Sequence, residues 1–289
     1  MNIRTMTAAD IPIAMRLKAQ NNWNQLEADW RRQLDLEPTG CFVAESEESH
    51  VVGTACACVF GDVAFINFVL VDQAVRGKGI GTALMKCVIQ YLEERGVATI
   101  RLDATSLGQP LYEKLGFVGE FTLERYEGFL PKKDDELNLP GNKRSGRVTP
   151  LTFGDLQALF DLDEMVTATR REKLLRHIFD SAPQNGLKYA PDGKLKGFCL
   201  FRPGSNAWQI GPVQGTVGAG LHMLSIVKRH LAGERVYIDV PKAHEVAVIV
   251  AQSLGLNLQR SFLRMCRGKS LADREHLHLF WSSFGPEKG

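Results

Sequence analysis

The sequence predicts an α/β (α+β) protein made of two tandem copies of one fold, each a mixed and mostly antiparallel sheet flanked by helices. Three observations lead to this fold class. Helical and strand-like apolar patterns alternate along the chain, short motifs recur in the same order in both halves, and a polar connector separates the halves. The length of 289 residues suits two domains, since one domain commonly takes about 100 to 200 residues.

The recurring motifs begin with a threonine and an aspartate three residues apart, a spacing typical of a capping box at the start of a helix. These pairs are Thr7 with Asp10 and Thr152 with Asp155. Repetition in a constant order indicates a duplicated fold. Further matches are Val52-Gly53 with Lys196-Gly197, Leu102-Asp103 with Ile238-Asp239, and Leu115-Gly116-Phe117 with Leu254-Gly255-Leu256.

The connector is the stretch LPKKDDELNLPGNKRSGR at residues 130–147, which combines proline, glycine and clustered charge with little apolar content. Such a composition is typical of a solvated linker. We therefore place a first domain at residues 1–130, a linker at 131–146 and a second domain at 147–289.

Within the first copy, apolar spacing distinguishes helices from strands. Helices are predicted from about Ala8 to Gln20, near Gln25 to Leu36, from Ile80 to Arg95 and near Pro110 to Leu115. Strands are predicted near Ile3 and at Cys41 to Glu45, Val51 to Phe60, Val63 to Val71, Ala98 to Asp103 and Phe117 to Arg125.

Composition narrows the class of protein. Hydrophobic residues make up 44% and charged residues 24% of the chain, as in ordinary globular proteins, and a net charge of +2 does not call for a nucleic-acid partner. The six cysteines show no metal-ligand spacing, and no apolar run predicts a membrane span or a signal peptide. We expect a cytoplasmic protein without a metal, and a homodimer stays open.

A glycine-rich loop, RGKGIG at residues 76–81, follows a predicted strand and opens a predicted helix. A helix N-terminus offers unpaired N–H groups and the positive end of a dipole, while glycines let the backbone approach a ligand closely. Arg76 and Lys78 add positive charge, and Thr82 adds a hydroxyl in the first turn. The loop therefore predicts a site for a phosphate or pyrophosphate.

Two other interpretations of this loop exist besides a flexible strand-to-helix turn. A dinucleotide site would use Asp103, at the end of the next strand, to bind a ribose. However, the spacing is G-x-G-x-G rather than G-x-G-x-x-G, and the GKS or GKT of a P-loop is absent. Both features disfavour a dinucleotide or P-loop nucleotide site.

The segments VLVDQAVRGKGIGTALM and LDATSLGQPLYEKLGF together resemble the GCN5-related N-acetyltransferase (GNAT) superfamily. The resemblance covers about residues 2–127 well and the second half in outline, and the whole chain is similar to tandem members of that superfamily. It implies that two central parallel strands splay apart in each copy. It also implies that acetyl-CoA lies in the gap as co-substrate.

The resemblance also implies roles for particular residues. Tyr112 would donate a proton or hydrogen bond to the departing thiolate. Apart from the resemblance, Asn67 on the fourth predicted strand is a candidate for orienting a water. Thr105 stands where the superfamily often has an asparagine. The residues implied in coenzyme A binding are Val69, Leu70, Val71, Arg76, Gly77, Lys78, Gly79, Ile80, Gly81, Thr82 and Thr105.

The implied activity is transfer of an acetyl group from acetyl-CoA to a primary amine of a small molecule, by direct attack in a ternary complex. Asn21 to Gln25 occupy the segment where the superfamily commonly builds its acceptor pocket, with Trp23 available to pack against the acceptor. No residue stands out as the base. The carboxylates considered are Glu27, Asp29, Asp62 and Glu120.

The second copy is predicted to be degenerate. Gly218 and Gly220 match Gly79 and Gly81 at an offset of 139, but both cations of the loop are lost and Ala251 stands at the position of Tyr112. We therefore expect one active centre per chain, with the second copy supporting the first and available as a wall of its acceptor pocket. The alternatives from other classes are a non-catalytic acyl-CoA sensor and, less favoured, a nicotinamide-dependent oxidoreductase.

Overall fold

The computed structural model describes residues 1–132 and 148–286. Most of the predicted linker at 131–146 therefore lies outside the described residues. In the first half the strands are β1 (Asn2–Thr5), β2 (Cys41–Glu45), β3 (Val51–Phe60), β4 (Val63–Val71), β5 (Thr99–Ala104) and β6 (Val118–Phe129). Its helices are α1 (Ile11–Ala19), α2 (Glu27–Leu36), α3 (Ile80–Glu94) and α4 (Gln109–Lys114).

The second half repeats this order of elements. Its strands are β7 (Val148–Pro150), β8 (Gly186–Tyr189), β9 (Gly197–Arg202), β10 (Trp208–Gly215), β11 (Arg235–Pro241), β12 (Asn257–Gly268) and β13 (Phe280–Ser282). Its helices are α5 (Leu156–Thr167), α6 (Glu172–Ser181), α7 (Val217–His230) and α8 (Glu245–Ser253).

Both predicted capping boxes are present. The Thr7 backbone N–H donates to Asp10 at 2.8 Å, and the Thr152 N–H donates to Asp155 at 2.9 Å. Each box precedes one turn of 3₁₀-helix that continues into α1 or α5. The two halves therefore start their first helices by the same local mechanism, as a duplicated fold requires.

One sheet of the described residues runs through both halves in the order β1-β2-β3-β4-β5-β12-β6-β11-β10-β9-β8-β7, with β13 beside β10. Most neighbours are antiparallel, and the parallel pairs are β4 with β5 and β10 with β11. The last long strand of each half pairs with a strand of the other half. β12 of the second half pairs with β5, and β6 of the first half pairs with β11. This exchange brings residues of the second half to the edge of the first-half site.

Two buried ion pairs cross the exchanged strands. Arg264 on β12 donates to both oxygens of Asp103 on β5, at 2.7 and 2.9 Å. Arg125 on β6 donates to both oxygens of Asp239 on β11, each at 2.7 Å. Asp103 and Asp239 belong to the repeated motif found in the sequence, so the two pairs are equivalent in the two copies.

The core packs helices on both sides of this sheet. Leu84 and Val88 of α3 lie against the first-half strands, and Met223 and Val227 of α7 lie against the second-half strands. A third cluster joins the halves, since Phe65 packs in the same buried group as residues of α5 and α6. The halves therefore share apolar contacts as well as strands.

Candidate active site

The parallel strands β4 and β5 separate partway along their length. Beyond Phe65, β4 continues beside β3 with a bulge, at which Phe68 takes a φ of 51°. The Thr54 hydroxyl donates to the Phe68 carbonyl at 2.6 Å, and Phe68 stacks on Trp30 with ring centroids 4.1 Å apart. Bulges bend a strand, so this one directs β4 away from β5. The pairing of β4 with β5 is limited to Val63 with Thr99, Ala64 with Ile100 and Phe65 with Arg101.

We call the space where β4 and β5 separate the first gap, and a cavity of about 770 Å³ occupies it. The end of β4, the glycine loop, the start of α4 and part of β12 form its walls. Every residue predicted for the site except Lys78, which is exposed, lines this cavity. These residues are Asn67, Val69, Leu70, Val71, Arg76, Gly77, Gly79, Ile80, Gly81, Thr82, Thr105 and Tyr112.

The glycine loop adopts a backbone that favours glycine. Gly77 and Gly79 have φ values of 78° and 82°, in the left-handed region. A Cβ at either position would meet no atom within 4 Å, so the space beside both residues is open. Gly79 is the N-cap of α3, and the first N–H groups of a helix have no intrahelical acceptor. The loop therefore presents free N–H groups and room for an anion.

The two cations of the loop differ in their surroundings. The Arg76 guanidinium donates to Asn21 at 2.7 Å and to the Val71 carbonyl at 3.2 Å. It therefore ties the loop to the end of β4 and to the segment after α1. Lys78 is exposed and does not line the cavity, so only Arg76 of the two contributes charge to the wall.

Tyr112 lies in α4, buried against Phe117 with ring centroids 6.1 Å apart. Burial raises the pKa of the phenol to about 12, so the hydroxyl stays protonated at neutral pH. A Cβ on Gly108 would come within 2.8 Å of the ring, so glycine at this position leaves room for Tyr112. Thr105 accepts a bond from the Gly108 N–H at 3.3 Å and thereby helps to position the start of α4.

Asn67 has one satisfied and one unsatisfied end. Gln33 donates to the Ala57 carbonyl at 2.7 Å, so its own oxygen accepts from the Asn67 Nδ2 at 2.9 Å. The Asn67 Oδ1 is then left buried without a partner, as is the Nε of Arg32. Both residues line a second void of about 10 Å³, roughly the volume that one water needs.

The segment Asn21 to Gln25 lines the cavity, as the sequence predicts for an acceptor pocket. Asn24, however, is fully engaged with the second half. Its Nδ2 donates to the Ala207 carbonyl at 2.9 Å, and its Oδ1 accepts the N–H groups of Asn206 and Ala207. Asn24 therefore holds the halves together, while Trp23 and Gln25 also contribute to the cavity wall.

None of the carboxylates considered as bases lines the cavity. Glu27 pairs with Arg31, Asp29 pairs with Arg32, Glu120 pairs with Arg101, and Asp62 is exposed. Among the described residues, the carboxylate in the cavity wall is Asp103. Burial raises its pKa, and Arg264 opposes that effect. Because both oxygens of Asp103 accept from Arg264, the ribose-binding acid of a dinucleotide site is not available.

Part of the wall comes from the second half, and its residues were missed by sequence reasoning. We call Tyr237, Gln259, Arg260, Ser261, Phe262 and Pro286 the second-half wall. Most of these residues lie on β12, which reaches the first gap only because the last strands are exchanged. No local pattern signals that exchange, so the sequence could not identify the residues of the wall.

The equivalent gap between β10 and β11 is filled. These strands pair in parallel only from Trp208 to Ile210, and beyond that point β13 lies beside β10. The Ser283 N–H donates to the Asp239 carbonyl of β11 at 2.9 Å, so the inserted segment contacts both strands. The second gap therefore holds protein backbone where the first gap holds a cavity.

The N-terminus of α7 is likewise occupied by protein groups, where the N-terminus of α3 borders the cavity. The Thr216 hydroxyl accepts from the Ala219 N–H at 3.4 Å and so caps the helix. A Cβ on Gly220 would lie 2.1 Å from the ring of Trp281, which is fully buried. Gly220 thus accommodates Trp281 of β13, and the degenerate character predicted for the second copy has a structural counterpart.

Other kinds of site lack support in the described residues. There, no three or more His, Cys, Asp and Glu side chains group as metal ligands do. The six cysteines are free thiols, and burial raises the pKa of Cys58 to about 12, which disfavours a thiolate. In the described parts of the chain, no helix has the length and apolar character needed to span a membrane.

The fold and the site together define a duplicated α/β protein with one open gap between splayed strands. Comparison with protein families gives the class of enzyme. The model of the acetyltransferase (GNAT) family matches residues 13–117, and a model of an acetyltransferase (GNAT) domain matches residues 159–280. The chain belongs to the GNAT superfamily, carries two such domains in tandem and is an acyltransferase of the N-acetyltransferase type.

Similar proteins share this organisation over most of their length. The holothin acyltransferase of Pseudoalteromonas sp. is 22% identical over 88% of this chain and 83% of its own. The uncharacterized N-acetyltransferase YitH of Bacillus subtilis is 28% identical over 68% of each chain. A solved structure from Pyrococcus horikoshii, provisionally described as an acetyltransferase, is 21% identical with a TM-score of 0.81, covering 100% of this chain and 95% of that one.

Proposed function

We propose that this protein transfers an acetyl group from acetyl-CoA to a primary amine of a small molecule. Residues 1–130 form the catalytic domain in this proposal, and residues 147–289 form the degenerate domain beyond the linker at 131–146. The observation that carries the proposal is the first gap, in which one cavity runs from the glycine loop to Tyr112. The match of residues 13–117 to the acetyltransferase (GNAT) family supports it.

The residues around the gap fit coenzyme A. Gly77 and Gly79 leave open space beside the N-terminus of α3, which suits a pyrophosphate. The edge of β4 from Val69 to Val71 has no strand partner on its β5 side, so its backbone groups are available to the amides of a pantetheine arm. When bound, acetyl-CoA supplies the activated acetyl group as a thioester.

Tyr112 is the residue placed to assist the departing sulfur. Its phenol stays protonated at neutral pH because burial raises its pKa to about 12. A free thiol has a pKa near 8.5, so a thiolate is already a fairly good leaving group. General acid catalysis by Tyr112 therefore raises the rate by an amount at the low end of about 10²–10⁴-fold. We assign Tyr112 a modest role in the rate.

The acceptor amine must lose a proton before it attacks. A lysine-like amine has a pKa near 10.4, which makes deprotonation at pH 7 cost about 4.6 kcal/mol. Asp103 is held by Arg264, so we assign proton removal to solvent that enters the cavity. Asn67, which lines the cavity, is the proposed residue for orienting one such water.

The acceptor is proposed to bind between Trp23 and the second-half wall, because the glycine loop and the β4 edge are assigned to the cofactor. Both substrates then fit in one cavity, and direct attack requires both to be present. The proposed alternative of a non-catalytic sensor has no specific support in the site.

The test is initial-rate measurement of thiol release from acetyl-CoA with a panel of small amines. Intersecting lines in double-reciprocal plots are expected, since both substrates must be bound before transfer. Parallel lines would contradict direct attack, and absence of thiol release with every amine would contradict the activity.

A further inference from the structure

Two of the four described charged residues in the cavity wall, Arg125 and Asp103, are neutralised by other protein groups. The Arg125 guanidinium donates hydrogen bonds to both oxygens of Asp239. Its central carbon also lies 4.8 and 5.2 Å from the ring centroids of Tyr237 and Phe262. Asp103 is neutralised by Arg264. These two ion pairs therefore contribute little net charge to the part of the cavity near β12.

Arg260 differs from these groups. It lines the same cavity and is exposed, and no described residue forms an ion pair or side-chain hydrogen bond with it. Arg76, the other cation of the wall without an acidic partner, is hydrogen-bonded to Asn21 and Val71 beside the glycine loop. In the described structure, the second-half wall thus carries one guanidinium whose donors are all available.

The position of Arg260 in the sheet is unusual for a purely structural residue. Its Cα partner on β6 is Arg125, just after an irregularity in the pairing at Gln259. Residues directly opposite on antiparallel strands project from the same face, and like charges in that arrangement destabilise a sheet. Asp239 neutralises the charge of Arg125. No described residue neutralises Arg260, so its charge is available to a group outside the sheet.

We propose that the acyl acceptor carries an anionic group besides its amine and that Arg260 binds this group. The inference rests on the proposed function, because it assigns the cavity beside β12 to the acceptor. A guanidinium donates two parallel hydrogen bonds to a carboxylate or a phosphate, and either group fits. The degenerate half thereby supplies a specificity-determining residue to the active centre of the first half.

The test uses matched amines in two arms. The carboxylate arm compares amino acids with their amides, and the phosphate arm compares amino sugar phosphates with the unphosphorylated amino sugars. For the accepted anionic amine, Arg260→Ala is expected to raise KM by about 10- to 100-fold with little change in kcat, and Arg260→Lys to recover part of the loss. The KM for acetyl-CoA should stay unchanged. Arg229→Ala, which removes an exposed arginine of α7 outside the cavity, is the control.

The outcomes are distinct. If every accepted amine lacks an anion, or if Arg260→Ala weakens neutral and anionic acceptors equally, the assignment of Arg260 is wrong. A rise in the KM for acetyl-CoA alone would make Arg260 a cofactor contact and would also overturn it. If no amine is acetylated, the proposed function itself fails first.

Discussion

At the scale of single residues, the Tyr112 hydroxyl differs from those of Tyr91 and Tyr126 in what it contacts. The Tyr91 hydroxyl donates to Glu37 at 2.8 Å, and the Tyr126 hydroxyl donates to Glu124 at 2.8 Å. The Tyr112 hydroxyl makes no hydrogen bond to a described residue, and burial alone raises its pKa. A buried phenol without a protein partner in a cavity is available to a ligand.

Replacing Tyr112 by Phe is expected to lower kcat by about 10- to 100-fold, because one general acid is lost and the thiolate still leaves unaided. Since the phenol has a pKa of about 12, it stays protonated across the assay range, and the pH profiles of both proteins from pH 7 to 9.5 should be parallel. Tyr91→Phe, outside the cavity, is the control. A change of kcat with pH between 7 and 9.5 that is seen in the unmodified protein and is absent from Tyr112→Phe would contradict this role.

The glycine loop allows a second comparison between single residues. Gly79 and Gly96 both have positive φ and open space beside them, but only Gly79 lines the cavity. Each substitution by Ala should cost about 1–2 kcal/mol of stability through backbone strain. Only Gly79→Ala should also raise the KM for acetyl-CoA, by about 10-fold, the equivalent of one hydrogen bond. Equal kinetic effects of the two substitutions would show that the loop acts through stability alone.

At the scale of elements, the exchanged strands β6 and β12 determine what the site contains. Their exchange places β12 beside β5, so that Arg260 and Phe262 reach the first gap. The pairs Asp103–Arg264 and Asp239–Arg125 join the exchanged strands to their neighbours, each with one partner from each half. Buried pairs of this kind favour the register in which both are satisfied.

Removing one partner of such a pair should be costly. Arg264→Met leaves Asp103 buried without its cation and is expected to lower the free energy of unfolding by about 3–5 kcal/mol. Adding Asp103→Leu should recover much of that loss, since no charge is then buried. Arg31→Met, in the exposed pair with Glu27, should cost less than about 0.5 kcal/mol. Urea unfolding at pH 7 measures the free energy of unfolding of all three variants. A small loss of stability for Arg264→Met would contradict a structural role for the Asp103–Arg264 pair.

At the scale of the whole molecule, the two copies have the same framework and different gaps. Splayed parallel strands occur in both, but the first gap holds a cavity and the second is filled by β13. Gly220 has a packing role in the second copy, because Trp281 lies where a side chain at this position would be. A glycine that matches one in the loop of the first copy therefore does not by itself indicate a second site.

Much of this architecture could be predicted from the sequence, and the exceptions have physical reasons. The bounds of β2, β3 and β4 are those predicted, and the residues around Gly79 and Tyr112 do meet in one cavity. The exchange of β6 and β12 could not be predicted, because both copies carry the same Asp and Arg positions and either pairing would satisfy them. The insertion of β13 rests on only three residues, too few for a pattern.

The central claim is that one chain binds one coenzyme A, in the first gap. Calorimetric titration with acetyl-CoA tests it most directly when it is repeated with Gly79→Ala and with Gly218→Ala, its counterpart in α7. The expected result is one site per chain, weakened by Gly79→Ala and unaffected by Gly218→Ala. Two sites per chain, or binding that is lost with Gly218→Ala and kept with Gly79→Ala, would contradict the account.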